Sequence, residues 1–403
     1  MMQTIDMIRK LYPECARKGV DHLESEILRE DLIETVKQVG HPVVYLTAGR
    51  DQGAVIFVYE SGFAAIPLPL LGENPVREKV KELSEHHVLD ETSSEKRFRE
   101  YLPGLCEWLW ESAMGSIVEW LSTRARKKGE TDLEEISIVA CGTLGIFPWH
   151  AARDRGSKKF AIMDICISFV PTIRTLHTDR SREGANAPQS VLSVGTVAET
   201  KGQAKTIAKL FGATPLTKKD RTRNGVLGHL SNKTAIHFAC HGLADLKNPL
   251  ESRLFLSRNE ELKVRDILSV QNRLSGTELV SLSACETALR SIVISDEAVS
   301  LPSSLLQSGA KTVVAPLWKV RSDHSEWLMQ DLYRIWRQNN AQTITPAQAL
   351  RYAQIEMIHQ QKLPTAAGRL LWNTSCEAGS GATTNNDLSH PYVWAAYQAF
   401  GSS

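Results

Sequence analysis

Residues 234–242, TAIHFACHG, and 278–287, ELVSLSACET, decide the fold. Each is a short, continuous apolar run of the kind that parallel sheets bury on both faces. Each also ends in a reactive side chain, His241 in the first and Cys285 in the second. Ahead of them stand an apolar run, SVLSVGTV (190–197), and a helical pattern, TKGQAKTIAKLFG (200–212), with Gly212 at its C-cap. A second helix ends near Leu230. Between the two runs lie LFLS (254–257) and a helix around 264–268; after them come helix 298–309, strand KTVVAPLW (311–318) and helices 322–339 and 345–359. Strands alternating with helices of about 10–15 residues are βαβ units, so the class is α/β with a mostly parallel sheet and helices on both faces.

The first part of the chain is less regular. Residues 1–35 carry Leu23, Ile27, Leu28 and Leu32 at helical spacing and form an N-terminal helical segment. PVVYLTAG (42–49) and GAVIFVYESGFAAIPL (53–68) alternate like strands. A charged stretch (76–96) leads into a helix bearing Leu105, Trp108, Met114, Ile117 and Trp120, then a loop, KKGETD (127–132), and a buried-type strand, ISIVACG (136–142). GSGATTNND (379–387) reads as a flexible loop by composition. There is no internal repeat of fixed period.

Composition narrows the function. The 403 residues are 42% hydrophobic and 23% charged, ordinary for a soluble globular chain. Lys plus Arg (47) and Asp plus Glu (46) nearly cancel, which argues against direct nucleic-acid binding driven by bulk charge. The longest apolar run, near Ala64–Leu71, is broken by Pro67 and Pro69, so no membrane span is expected. Neither a secretion signal in MMQTIDMIRK nor a prenylation box in AFGSS is present, and the seven scattered cysteines read as reduced thiols. A cytoplasmic location is the expectation.

In open parallel sheets, ligands bind outside the carboxyl ends of the strands. His241 precedes Cys285 by 44 residues, and both fall at such ends. A cysteine nucleophile needs an imidazole nearby to hold its thiolate, because a free thiol ionises near pH 8.5. Attack on a carbonyl also needs N–H donors for the oxyanion, and the amides of Gly242 and Cys285 are the candidates. By spacing alone two readings stand: a nucleophile–base pair, and an ordinary sheet with inert packed residues.

Other residues carry less. His237, with His241 and Cys240 or Cys285, is the nearest approach to a metal cluster, but no second ligand pair has structural-zinc spacing, so no metal is expected. Asp245 and Glu286 read as solvated loop charges, His150, His86 and His87 as packing and surface residues, and Trp318 and Trp394 as core aromatics. Cys240 should face the opposite side of its strand and be buried.

HFACHG, then LSACETA, then LPSSLLQSGAKTVVAPLWKV and HPYVWAAYQAFG, together resemble the CHAT domain, a caspase- and separase-related peptidase family often joined to TPR repeats. IVACGTLGIFPWHAA (138–152) and FVPTIRTL (169–176) resemble further family segments, so the likeness runs along nearly the whole chain. The resemblance implies a caspase-like three-layer fold with a degenerate caspase-like N-terminal half (36–185) and a catalytic half (186–403). It implies a cysteine endopeptidase acting through His241 and Cys285, with Gly242 and Cys285 amides as the oxyanion hole and no cofactor. Ser283, Asp296 and Glu297 are its candidate substrate-binding residues. The implied partners are a protein substrate and a TPR or other sensor protein as activator; the alternative is a non-catalytic or self-processing signalling module. Two departures stand out. Lys319–Asp323 follows Leu317-Trp318 where the family has paired acidic or Asn-Asp residues, and ALRSIVISDE (288–297) replaces a Gly-rich stretch.

Overall fold

In the computed structural model, which describes residues 29–87, 93–129, 135–177, 190–196, 198–243, 245, 248–257, 259–269, 273–283, 300–338, 344–359 and 387–402, the apolar runs become strands. These are β1 (Val43–Thr47), β2 (Gly53–Tyr59), β3 (Gly62–Leu68), β4 (Ile136–Ala140), β5 (Ile167–Phe169), β6 (Val191–Gly195) and β7 (Ala235–Ala239). Then follow β8 (His241–Leu243), β9 (Arg253–Phe255), β10 (Glu261–Lys263), β11 (Leu279–Leu282), β12 (Thr312–Pro316) and β13 (Tyr397–Gly401). The longer helices are α1 (Arg29–Val39), α2 (Glu73–His87), α3 (Ser93–Leu109), α4 (Gly115–Lys128), α5 (Ala198–Leu210), α6 (Arg223–His229), α7 (Val264–Leu268), α8 (Leu301–Gln307), α9 (Ser322–Gln338) and α10 (Pro346–His359).

Caps fix several of these boundaries. The Thr222 hydroxyl accepts the Gly225 amide at the start of α6, and Ser300 caps α8 with Pro302 in the first turn. Gly212, with φ +63°, stops the chain after α5 as its position predicts. Among the described residues, no helix is long and apolar enough to cross a membrane.

Among the described residues, ten strands form one sheet in the order β3-β2-β1-β4-β5-β13-β12-β11-β7-β6, and β8, β9 and β10 form a separate antiparallel sheet. Pairing is parallel through β1-β4-β5-β13 and again through β12-β11-β7-β6, but β12 and β13 are antiparallel. Eight of these strands thus form two parallel blocks running in opposite directions, joined at a seam made by the last strand, and β2 and β3 extend the first block as an antiparallel hairpin. The two halves share this one sheet and a continuous apolar core rather than merely lying side by side. Gly401 closes the seam. A Cβ there would sit 2.1 Å from the Lys311 carbonyl, and its φ of +101° is left-handed.

Strand alternation sorts the second block into two faces. Leu192, Ile236, Phe238, Cys240, Val280 and Leu282 pack with Val226, Ile267, Leu305 and Leu306 on the side of α6, α7 and α8. Ala235, Leu279 and Val314 face Ile207, Leu328, Leu332 and Tyr333 of α5 and α9. Trp318 and Trp394 are fully buried, as their apolar neighbours predict. Strands enclosed by helices on both faces make the three-layer α/β architecture expected from the sequence.

Candidate active site

β7 and β11 are immediate, parallel neighbours, in register from Ala235↔Leu279 to Phe238↔Leu282. Their carboxyl ends therefore open on the same edge of the sheet, together with those of β6 and β12. Beyond the ladder, the Ser283 amide still donates to the Phe238 carbonyl at 2.8 Å, and the Thr196 amide to the Ala239 carbonyl at 3.1 Å.

The run through His241 is not one strand. β7 stops at Ala239, the chain bends at Cys240, and His241 opens β8 opposite Phe255 of β9. Sequence alone reads the apolar run as continuous to Gly242. The bend lets Cys240 stay in the core at 1% exposure while the next residue emerges: His241 is exposed and Gly242 is buried. Cys240 thus takes the buried, opposite-face position expected of it. Of the remaining predicted site residues, Cys285, Asp296 and Glu297 lie outside the described residues, as does Glu286. Ser283 is described. It is buried at 6% exposure, and its hydroxyl meets Gln203 and Ser325.

His237 differs from His241 in every respect that matters chemically. It is fully buried, its Nδ1 lies 2.7 Å from the Ser281 hydroxyl, and that hydroxyl lies 2.8 Å from the Tyr333 hydroxyl. Burial drives its pKa down to about 3, so it is neutral at any ordinary pH. An imidazole that resists protonation in this way is a poor partner for a thiolate. His150 is likewise buried, with its pKa lowered to about 3 for the same reason, in keeping with a packing role.

The segment after β12 carries an internal ion pair. Arg321 Nη2 and Nε meet the two Asp323 carboxylate oxygens at 2.7 and 3.1 Å. Burial alone would raise the Asp323 carboxyl, but the hydrogen bonds and charges of Arg321 and His324 together outweigh it and hold the group below its ordinary value. Arg321 is thereby engaged by its own loop. The loop is anchored below by the Trp318 indole N–H on the Tyr392 carbonyl (2.9 Å) and the Tyr392 hydroxyl on the Lys319 carbonyl (2.9 Å). His324, in the first turn of α9, is buried with neither ring nitrogen hydrogen-bonded; burial first, then Arg321 and Arg99, lower its pKa.

Sequence reasoning missed the groups around Ser283. Gln203, Ser325 and Tyr397 are far apart in the chain, and nothing in their local patterns marks them. The only trace is the pair of serines, Ser281 and Ser283, breaking an otherwise apolar strand on one face.

Comparison with known proteins places this arrangement. The family model of the CHAT domain matches residues 103–402, which include both the His241 and the Cys285 motifs. No curated protein sequence matches. Two crystal structures of the Saccharomyces cerevisiae separase–securin complex are similar in fold, with TM-scores of 0.56 and 0.54 at 11% identity, and each covers 93% of this chain. The match takes in only 30% and 31% of those chains, so the present chain spans under a third of their length. The Arg-specific cysteine proteinase gingipain R is a more distant likeness, with a TM-score of 0.45 at 9% identity over 72% of this chain.

Proposed function

Because the chain belongs to the CHAT domain family, we propose that it is a cysteine endopeptidase acting on a protein substrate. One observation carries the reading: β7 and β11 are adjacent and parallel, so the exposed His241 and the strand leading to Cys285 reach the same edge of the sheet.

In this mechanism the Cys285 thiolate attacks the scissile carbonyl, forming the C–S bond as the carbonyl π electrons move onto oxygen. The Gly242 and Cys285 amides donate to that oxyanion. The His241 imidazolium then gives its proton to the departing amine as the C–N bond breaks, leaving an acyl-enzyme thioester. Neutral His241 takes a proton from water, the hydroxide so generated attacks the thioester, and the thiolate leaves with the acid product. No metal or organic cofactor enters any step. Asp296, Glu297 and Ser283 are assigned to substrate binding.

Separase was crystallised bound to securin. By analogy, access to this site is governed by a protein partner, such as a TPR or other sensor protein. Labelling with an acyloxymethyl-ketone peptide library tests the reading. Covalent modification of the chain should map to Cys285 and vanish in Cys285→Ala; labelling that survives that substitution, or none under any activating condition, refutes it.

A further inference from the structure

The carboxyl end of β11 is supported unequally on its two sides. Towards β7 the ladder continues to Leu282 and, through the Ser283 amide, beyond it. Towards β12, among the described residues, it stops at Ser281↔Val314. There a chain of side chains takes over. The Gln203 amide N–H of α5 donates to the Ser283 hydroxyl at 2.8 Å. The Ser283 hydroxyl is hydrogen-bonded to that of Ser325 in α9, and Ser325 to that of Tyr397 in β13 at 2.6 Å. Four elements meet in one run of hydrogen bonds, and each residue is at most 6% exposed.

We propose that Gln203, Ser325 and Tyr397 are positioning residues that pin Ser283, and through it the tip of β11, the fixed point from which the chain continues to the nucleophile assigned above. The inference rests on the peptidase reading above. Three features support it. First, the chain begins where the ladder to β12 ends, so it supplies a restraint that the backbone does not. Second, hydrogen bonding on both sides of the Ser283 hydroxyl fixes its rotamer, because turning it breaks a buried bond in a medium where an unmade bond is expensive. Third, Tyr397 sits on the seam strand opposite Pro316 of β12, so the tie reaches the most enclosed part of the sheet. The side-chain contact one step down the same face, Ser281 with Tyr333, lies where both ladders are intact and adds no comparable restraint.

The test reads the thiol rather than peptide turnover. The intact chain is alkylated with iodoacetamide across pH 5–9, modification of Cys285 is followed by peptide mass spectrometry, and melting temperatures are recorded alongside. Tyr397→Phe and Ser325→Ala should slow alkylation at neutral pH about tenfold, the loss expected when a paired thiolate reverts towards a free thiol titrating near pH 8.5. Gln203→Met, which breaks the chain at its other end, should give the same shift, and Ser325→Thr should restore the wild-type profile. Tyr333→Phe removes a hydroxyl from the same face and should lower the melting temperature without moving the profile. A depressed wild-type midpoint that Tyr397→Phe, Ser325→Ala and Gln203→Met all retain overturns the positioning role alone. A wild-type midpoint already at the free-thiol value overturns the peptidase reading, and the positioning role falls with it.

Discussion

Replacing His237 by Asn should remove one source of acid lability while sparing the chemistry assigned to His241. His237 is fully buried, and burial shifts its pKa from 6.5 to about 3. The unfolded chain therefore takes up a proton near pH 6.5, whereas the folded chain resists until about pH 3. A folded pKa below the unfolded one means that stability is complete above that upper value and drains away as pH falls through the window. At pH 5 the unfolded imidazole is almost fully protonated and the folded one almost wholly neutral. The 1.5 pH units travelled below the unfolded pKa then correspond to about 2 kcal/mol of lost stability from this one residue. Asparagine keeps a polar group near Ser281 but has no proton to gain. Urea unfolding at pH 7.5 and pH 5 should therefore show wild type losing about 2 kcal/mol more than His237→Asn over that interval, whatever the variant loses at pH 7.5 through the smaller side chain. Contributions from His150 and other groups cancel in the double difference. Equal pH losses in the two proteins would refute the neutral, buried assignment. Loss of Cys285 labelling in His237→Asn without loss of stability would mean that the wrong histidine has been assigned to the dyad.

His241→Ala and Cys285→Ala should each abolish labelling or cleavage, and His241→Ala should leave the melting temperature nearly unchanged, because an exposed side chain buries little. Cys240→Ser should do the reverse: a hydroxyl among Phe238, Leu254 and Leu282 costs about 1–3 kcal/mol in chemical denaturation, with labelling retained on the folded fraction. Gly401→Ala forces a Cβ against the Lys311 carbonyl in a left-handed conformation; we expect a loss of about 2 kcal/mol or more, and an unchanged unfolding midpoint would contradict the seam geometry. A scan of the residue before the scissile bond should favour uncharged side chains, because Ser283 offers no fixed charge and Arg321 is held by Asp323. A preference of about a hundredfold for Arg, Lys or Asp over uncharged side chains would contradict that, because a pocket without a fixed charge has nothing to pair with a charged side chain.

Much of the second block was legible because strand burial on both faces leaves uninterrupted apolar runs. SVLSV, AIHFA, LVSL and TVVAP all read directly as strands, and Gly212 marks a helix end by local chemistry. The bend at Cys240 was hidden for the same reason: Cys240 is as apolar as the strand before it, so nothing in the run announces a turn. β10, Glu261–Lys263, is polar at two of three positions and reads as loop, being an edge strand of a small sheet. The seam was illegible in principle. YQAFG has an ordinary strand composition, and neither its place between β5 and β12 nor its direction is encoded by local pattern, because both are settled by which edges remain open when it docks. Of the candidate site, His241 and Gly242 could be read as strand-end groups, whereas the Gln203–Ser283–Ser325–Tyr397 chain links positions 80, 42 and 72 residues apart and is visible only once the sheet is assembled.

The seam strand also imposes an order of events during synthesis. β5 and β12 are both translated before β13, and in the finished sheet each takes β13 as a neighbour. Until residues 397–401 arrive, each therefore presents an unpaired row of backbone groups, the kind of edge on which chains aggregate or exchange strands. The opposed directions of the two blocks do not let β12 replace β13 beside β5 in the same parallel register, so premature closure of the gap yields a mispaired sheet. Tyr397 is the first residue of that strand. Its hydroxyl therefore reaches Ser325 only after the gap is filled, and the positioning chain beneath the strand tip is completed in the same step that completes the sheet.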